Sequence, residues 1–135
     1  NMALAGISKP SLAKLSAQAC CFMADPEIAQ KAKEQGSTRA AASMACGADR
    51  YPEAVFAVGN APTALFEVLR LAKEENIIPA VIIGIPVGFV GAADSKKLLA
   101  ENTLVPYVTV EGTKGGSPIA ASVVNAIMYI LDNRR

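Results

Sequence analysis

Ala80-Val81-Ile82-Ile83-Gly84-Ile85-Pro86-Val87-Gly88-Phe89-Val90-Gly91-Ala92-Ala93-Asp94-Ser95-Lys96-Lys97-Leu98-Leu99-Ala100-Glu101 decides the fold. Ala80 to Ile85 is a continuous apolar run, as expected of a strand covered on both faces. Pro86, Gly88 and Gly91 end that run, and Ala92 to Glu101 reads as a helix that Asn102 can stop. Strand, glycine-rich loop and helix in this order make one unit of a parallel α/β sheet.

The same grammar extends outward. Ala19 to Met23, Ala54 to Val58 and Pro106 to Val110 are further short apolar runs that predict strands. Asp25-Pro26-Glu27 places a cap, a first-turn proline and an acid at a helix start, and Gly36 can close that helix. An alanine-rich helix is expected from Ser37 or Thr38 to Gly47. Asn60 can cap another through Leu71, with Leu65, Val68, Leu69 and Ala72 on one apolar face. Ser117-Pro118 opens a last helix carrying Ile119, Val123, Ile127, Ile130 and Leu131, followed by Arg134 and Arg135 at its negative end. Ala120, Ala121 and Ala126 would let that helix approach the sheet or a second subunit closely. The expectation is one doubly wound α/β domain over residues 1–135, with four parallel strands.

Composition narrows the chemistry. The 135 residues are 52% hydrophobic, which excludes a disordered chain and suffices for one core. Thirteen basic and twelve acidic side chains leave a net charge of +1, so nothing drives the chain toward nucleic acid or an anionic membrane. Histidine is absent, so no imidazole can serve as base, acid or metal ligand, and no metal site is expected. Cys20, Cys21 and Cys46 are an odd set that reads as buried small hydrophobes in a reducing, cytoplasmic setting. The uncharged run from Asn76 to Ala93 nears the length of a membrane span, but its prolines and glycines mark strand and loop. Asn1-Met2 shows no signal-peptide pattern, and a chain opening this way is expected to be a fragment or processed product.

In open α/β sheets ligands bind beyond the carboxyl ends of the strands. Three predicted strands end there in Gly59-Asn60-Ala61-Pro62-Thr63, Gly84-Ile85-Pro86-Val87-Gly88-Phe89-Val90-Gly91 and Glu111-Gly112-Thr113-Lys114-Gly115-Gly116-Ser117. Glycines permit close backbone approach, and the helix starts that follow aim N–H groups at the same rim. That combination suits anionic groups. Neither phosphate-loop nor dinucleotide spacing is present, which argues against a flavin or nucleotide site. Arg39, a cation in a helix's first turn, opposes the dipole and would gain from a carboxylate; Lys114 could reach one from its loop. Thr63 and Ser117 read as helix-start hydroxyls, since no base is available beside them.

Val58-Gly59-Asn60-Ala61-Pro62-Thr63-Ala64-Leu65, the Gly84 to Ala93 stretch with Ser95-Lys96, and Gly112-Thr113-Lys114-Gly115-Gly116-Ser117 together resemble the precorrin-8X methylmutase family, which includes the cobalt-precorrin-8 enzymes. Asn1 to Ile7, Asp25-Pro26 and Ser37-Thr38-Arg39 are similar to family segments in the same order. The resemblance implies a flavodoxin-like fold with a five-stranded parallel sheet in the order 2-1-3-4-5, and a cytoplasmic homodimer. It implies an isomerase of corrin-ring biosynthesis that moves a methyl group from C11 to C12 of precorrin-8X, with no separate cofactor. Hydrogenobyrinic acid or its cobalt counterpart is the product. The substrate-binding set it implies is Asn1, Met2, Gly6, Thr38, Arg39, Gly59, Asn60, Pro62, Thr63, Gly88, Phe89, Lys114, Gly115, Gly116 and Ser117. Met2 and Phe89 would meet the flat ring, and Arg39 and Lys114 its carboxylates.

The family's proton-donating histidine belongs to a segment before the position of Asn1, so no catalytic residue is expected in this chain. The family's first strand would end just before Asn1 and neighbour Ala19 to Met23. Alone, the chain is expected to hold ring without turning it over. The rival class is a non-catalytic module that binds a tetrapyrrole or another polycarboxylate.

Overall fold

The computed structural model describes residues 1–133; the cationic pair Arg134 and Arg135 lies outside them. The elements are α1 (Met2–Ala5), α2 (Lys9–Lys14), α3 (Pro26–Gln35), α4 (Arg39–Arg50), β1 (Val55–Val58), α5 (Pro62–Glu74), β2 (Val81–Gly84), α6 (Ala92–Glu101), β3 (Tyr107–Thr109) and α7 (Ser117–Asn133). The three strands form one parallel sheet in the order β1-β2-β3, with Val55 opposite Val81 and Ile82 opposite Tyr107.

Helices cover both faces, as continuous apolar strands require. On one face Phe56, Val58 and Ile82 pack with Leu65 and Val68 of α5 and Leu99 of α6. On the other, Ile83 and Ile85 pack with Ala120 of α7. Leu65, Ile82 and Leu99 are wholly inaccessible, each contributing roughly 1.5–3 kcal/mol of burial. The outer helix α4 lies on α5, α3 lies on α4, and the short α1 and α2 lie on α7.

Local chemistry sets the boundaries. Asp25 caps α3 by accepting the Glu27 N–H at 2.9 Å, and Gly36 ends it in the left-handed conformation at φ 64°. Thr38 caps α4 by accepting the Ala41 N–H. That helix runs past Gly47, which is helical and buried near Phe22 and Phe56, and stops before Tyr51, held out of helical geometry by Pro52. The cap of α5 is Ala61 rather than Asn60. Pro62 forces its predecessor to be extended, so the helix begins at the proline and Asn60 stands one residue too early. The helices α1 and α2 were not expected; Ser8, accepting the Ser11 N–H ahead of Lys9-Pro10, is a cap-and-proline start within the sequence.

Two expectations are corrected. Ala19 to Met23 is not a strand, so the sheet has three strands and not four. A strand needs a partner, and among the described residues no backbone hydrogen bond joins this segment to β1; a cleft separates them. The cysteines are not buried either, since Cys20, exposed, and Cys21, half-buried, line the cleft and Cys46 is half-buried in α4. On α7, Ile119, Ile130 and Leu131 are 41%, 56% and 50% exposed, while Ala120, Ala121 and Met128 form the inner face. The sheet is too narrow to cover both sides of a helix this long. No described helix is long and apolar enough to cross a membrane.

Candidate functional site

The three glycine-rich loops gather on one edge of the sheet, at the strands' carboxyl ends, and are tied to one another. Val87 donates its N–H to the Asn60 carbonyl at 3.4 Å, Gly88 to Thr113 at 3.1 Å, and Gly116 to Ile85 at 3.0 Å. A Cβ on Gly115 would stand 2.6 Å from the carbonyl oxygens of Ile85 and Pro86, so only glycine lets these loops touch. Lys96 reinforces the seam from below. Its side chain is 2% exposed, and its ammonium donates to the Lys114 carbonyl at 2.6 Å. Burial pushes its pKa below the ordinary lysine value.

Four helix starts follow the same rim. Thr38 Oγ1, at the head of α4, donates to Thr63 Oγ1 in the first turn of α5 at 2.9 Å. Gly91, which begins α6, lies against Pro62. Ser117, which begins α7, sits so close over Gly59 that a Cβ there would lie 2.5 Å from its Cα. The starts of α5 and α6 have no side-chain cap, leaving backbone N–H groups available to an acceptor from outside. Asp94 in the first turn of α6 already meets that helix's dipole, which makes the α4–α5 end the more receptive one.

The expected binding residues divide into three groups. Asn1, Met2, Gly59, Asn60 and Ser117 line a cleft of about 440 Å³ beside β1. Thr38, Arg39, Pro62, Thr63, Gly88, Phe89, Lys114, Gly115 and Gly116 stand on the rim outside it. Gly6 is in neither place: it packs α1 on α7, where its carbonyl accepts from Asn125 Nδ2 at 2.9 Å and a Cβ would meet Ala121 at 2.9 Å. Arg39 is exposed and donates to the Met23 carbonyl at 3.4 Å, leaving other guanidinium N–H groups free to bind. Phe89 and Val90, at 94% and 91% exposed, project from the loop tip. The cleft also takes in Ala19 to Met23, Met44 and Tyr51, which motif reading passed over because they are apolar and lie far from the glycine loops in sequence.

The description precorrin-8X methylmutase fits a family model that matches residues 1–130. The chain is 46% identical over 115 residues to the cobalt-precorrin-8 methylmutase of Methanocaldococcus jannaschii, covering 85% of itself and 54% of that relative. It is 43% identical over 132 residues to the cobalt-precorrin-8 methylmutase of Salmonella typhimurium, covering 97% of itself and 60% of the relative. A solved precorrin-8X methylmutase related protein superposes with a TM-score of 0.88 at 36% identity, over 96% of this chain and 67% of the other. The precorrin-8x methyl mutase of Thermus thermophilus also gives 0.88, at 31% identity, over 98% and 64%. The chain thus spans between half and two thirds of the length of the two curated relatives.

Proposed function

The chain belongs to the precorrin-8X methylmutase family, and from that premise we propose that it is the ring-holding part of an isomerase of cobalamin biosynthesis. The substrate is a precorrin-8X or cobalt-precorrin-8 type tetrapyrrole, the reaction a methyl shift from C11 to C12, and the product hydrogenobyrinic acid or its cobalt form. The observation carrying this reading is the continuous rim, where four helix starts and three interlocked glycine loops stand at one sheet edge. Carboxylates on the ring's fringe would accept from the uncapped Thr63 N–H at the start of α5, from Arg39 and from Lys114. Phe89 offers an aromatic face for the macrocycle.

A methyl migration needs a proton delivered to the ring and a pocket that fixes the migrating group. This chain has no histidine, and its rim hydroxyls, Thr38 and Thr63, bond to one another. Its own share of the reaction is therefore binding and orientation. The same reading includes a cytoplasmic homodimer in which a second subunit covers the exposed Phe89-Val90 tip near the bound ring.

Titration of the chain with hydrogenobyrinic acid, followed in visible absorbance, tests this. Saturable binding is expected, about tenfold weaker for Arg39→Ala or Lys114→Ala, a loss of roughly 1.4 kcal/mol. Binding that is absent, or unchanged in both variants, overturns the rim as the ring site.

A further inference from the structure

Between Glu111 and Ser117 the loop after β3 is held at three points. Gly88 donates its N–H to the Thr113 carbonyl, the Lys96 ammonium donates to the Lys114 carbonyl, and Gly116 donates its N–H to the Ile85 carbonyl. The first and last are backbone contacts that follow from the path of the chain. The middle one is different: a buried side chain of α6 reaches up to a peptide on the rim. Lys96 has no carboxylate partner there. Among the described residues the ion pairs join Lys14 to Asp132 and Arg70 to Glu67, Glu74 and Glu75. One of its three N–H donors meets a protein acceptor, so its desolvation is not offset by a counter-charge.

The peptide that Lys96 grips has a direction. No peptide bond among the described residues is cis, so the Gly115 N–H points opposite to the Lys114 carbonyl. With the carbonyl turned toward α6, that N–H is turned away from it. It has no acceptor among the described residues, although Gly115 is only half-buried and the Thr113 carbonyl and Gly116 N–H on either side are bonded. A free donor thus stands beside the exposed Lys114 side chain. Glycine also tolerates the opposite state. With no Cβ at residue 115, rotation about the two bonds flanking the peptide would turn the carbonyl outward instead. An outward carbonyl repels a carboxylate, whereas an outward N–H binds one.

We propose that Lys96 is a positioning residue for the ring site: by drawing the Lys114 carbonyl inward, it turns the Gly115 N–H outward to donate to a carboxylate on the ring's fringe. This role rests on the rim being the place where the ring binds. The ammonium acts in the same sense twice more. A carbonyl bonded to a cation leaves its own peptide N–H a stronger donor, and the unneutralised charge lies beneath the loop that meets the acid.

Hydrogenobyrinic acid titrated into the full chain tests it, followed by visible absorbance and by nitrogen–proton correlation spectra. The Gly115 amide proton is expected to move downfield as the ring saturates the native chain. Lys96→Met, of similar length and uncharged, should bind the ring about tenfold more weakly and lose that shift while keeping its fold. Lys114→Ala keeps the carbonyl and removes the neighbouring ammonium. In that background Lys96→Met should still weaken binding about tenfold, since the peptide and the Lys114 side chain are separate donors. A loss that vanishes there makes Lys96 a support for the Lys114 side chain and overturns the proposal. So does ring binding that leaves the native Gly115 amide unmoved, a measurement that stands even if Lys96→Met does not fold. Unchanged affinity in a folded Lys96→Met overturns the role of Lys96 and spares the rim, whereas a native chain that binds no ring overturns both.

Discussion

Lys96 shows how one side chain can hold a loop and strain it electrostatically at once. Its ammonium is taken out of water to reach a single carbonyl, that of Lys114, and burial lowers its pKa. The folded state therefore binds the proton less tightly than the unfolded chain. Between the lowered value and the ordinary one, stability from this group rises with pH, because folding no longer buries a charge. Below the lowered value both states are charged and the desolvation cost stands in full. Lys96→Met abolishes the charge and the bond together. At neutral pH the variant should lie within about 1 kcal/mol of the native chain, since the removed penalty offsets the lost donor. By about pH 10 the native chain should have gained on it. Urea denaturation of both at the two pH values checks this, and a gap that does not change would refute it.

At the scale of elements, the seating of α7 on the end of β1 depends on Gly59. A Cβ there meets backbone, the Cα and N of Ser117 at 2.5 and 2.9 Å, and backbone cannot swing aside. Gly84 looks equally crowded, with Leu99 Cδ2 at 2.5 Å and Leu65 Cδ2 at 3.0 Å, but those are the ends of flexible side chains. Gly59→Ala should thus cost about 1–3 kcal/mol or more and move α7, and Gly84→Ala distinctly less. Thermal denaturation midpoints and Ser117 amide shifts would show the difference. This is also where the sequence stopped being legible. Strands β1, β2 and β3 were readable because their runs are apolar and end in glycine, and α3 because Asp25, Pro26 and Gly36 act locally. Ala19 to Met23 has the same composition, yet strand formation is decided by a neighbour, which composition does not contain. The rim motifs gave the loops that meet, but not that Gly59 and Gly115 serve the packing of the loops and Gly6 the docking of α1. The cleft escaped notice because apolar residues scattered along a chain carry no spacing.

For the whole molecule, the exposed apolar surface of α7 is the feature that bears on association. Tyr129, Ile130 and Leu131 are each half or more exposed on consecutive positions, an arrangement that a monomer rarely leaves to water. If the proposed homodimer buries this end of α7 in addition to the Phe89-Val90 tip, sedimentation should show concentration-dependent association. Ile130→Lys should weaken it by about tenfold or more without changing the melting of the isolated subunit.

The sheet itself has a further consequence. It ends at β1 on one side and β3 on the other, and neither outer edge is paired within the described residues. Such ends are not equivalent, so the margin of β1 in one molecule can join the margin of β3 in the next without closing a ring. Growth of that kind has no natural stopping point. Concentrated stocks of this polypeptide should accordingly thicken into filaments, even where dilute ones hold the homodimer as a defined particle.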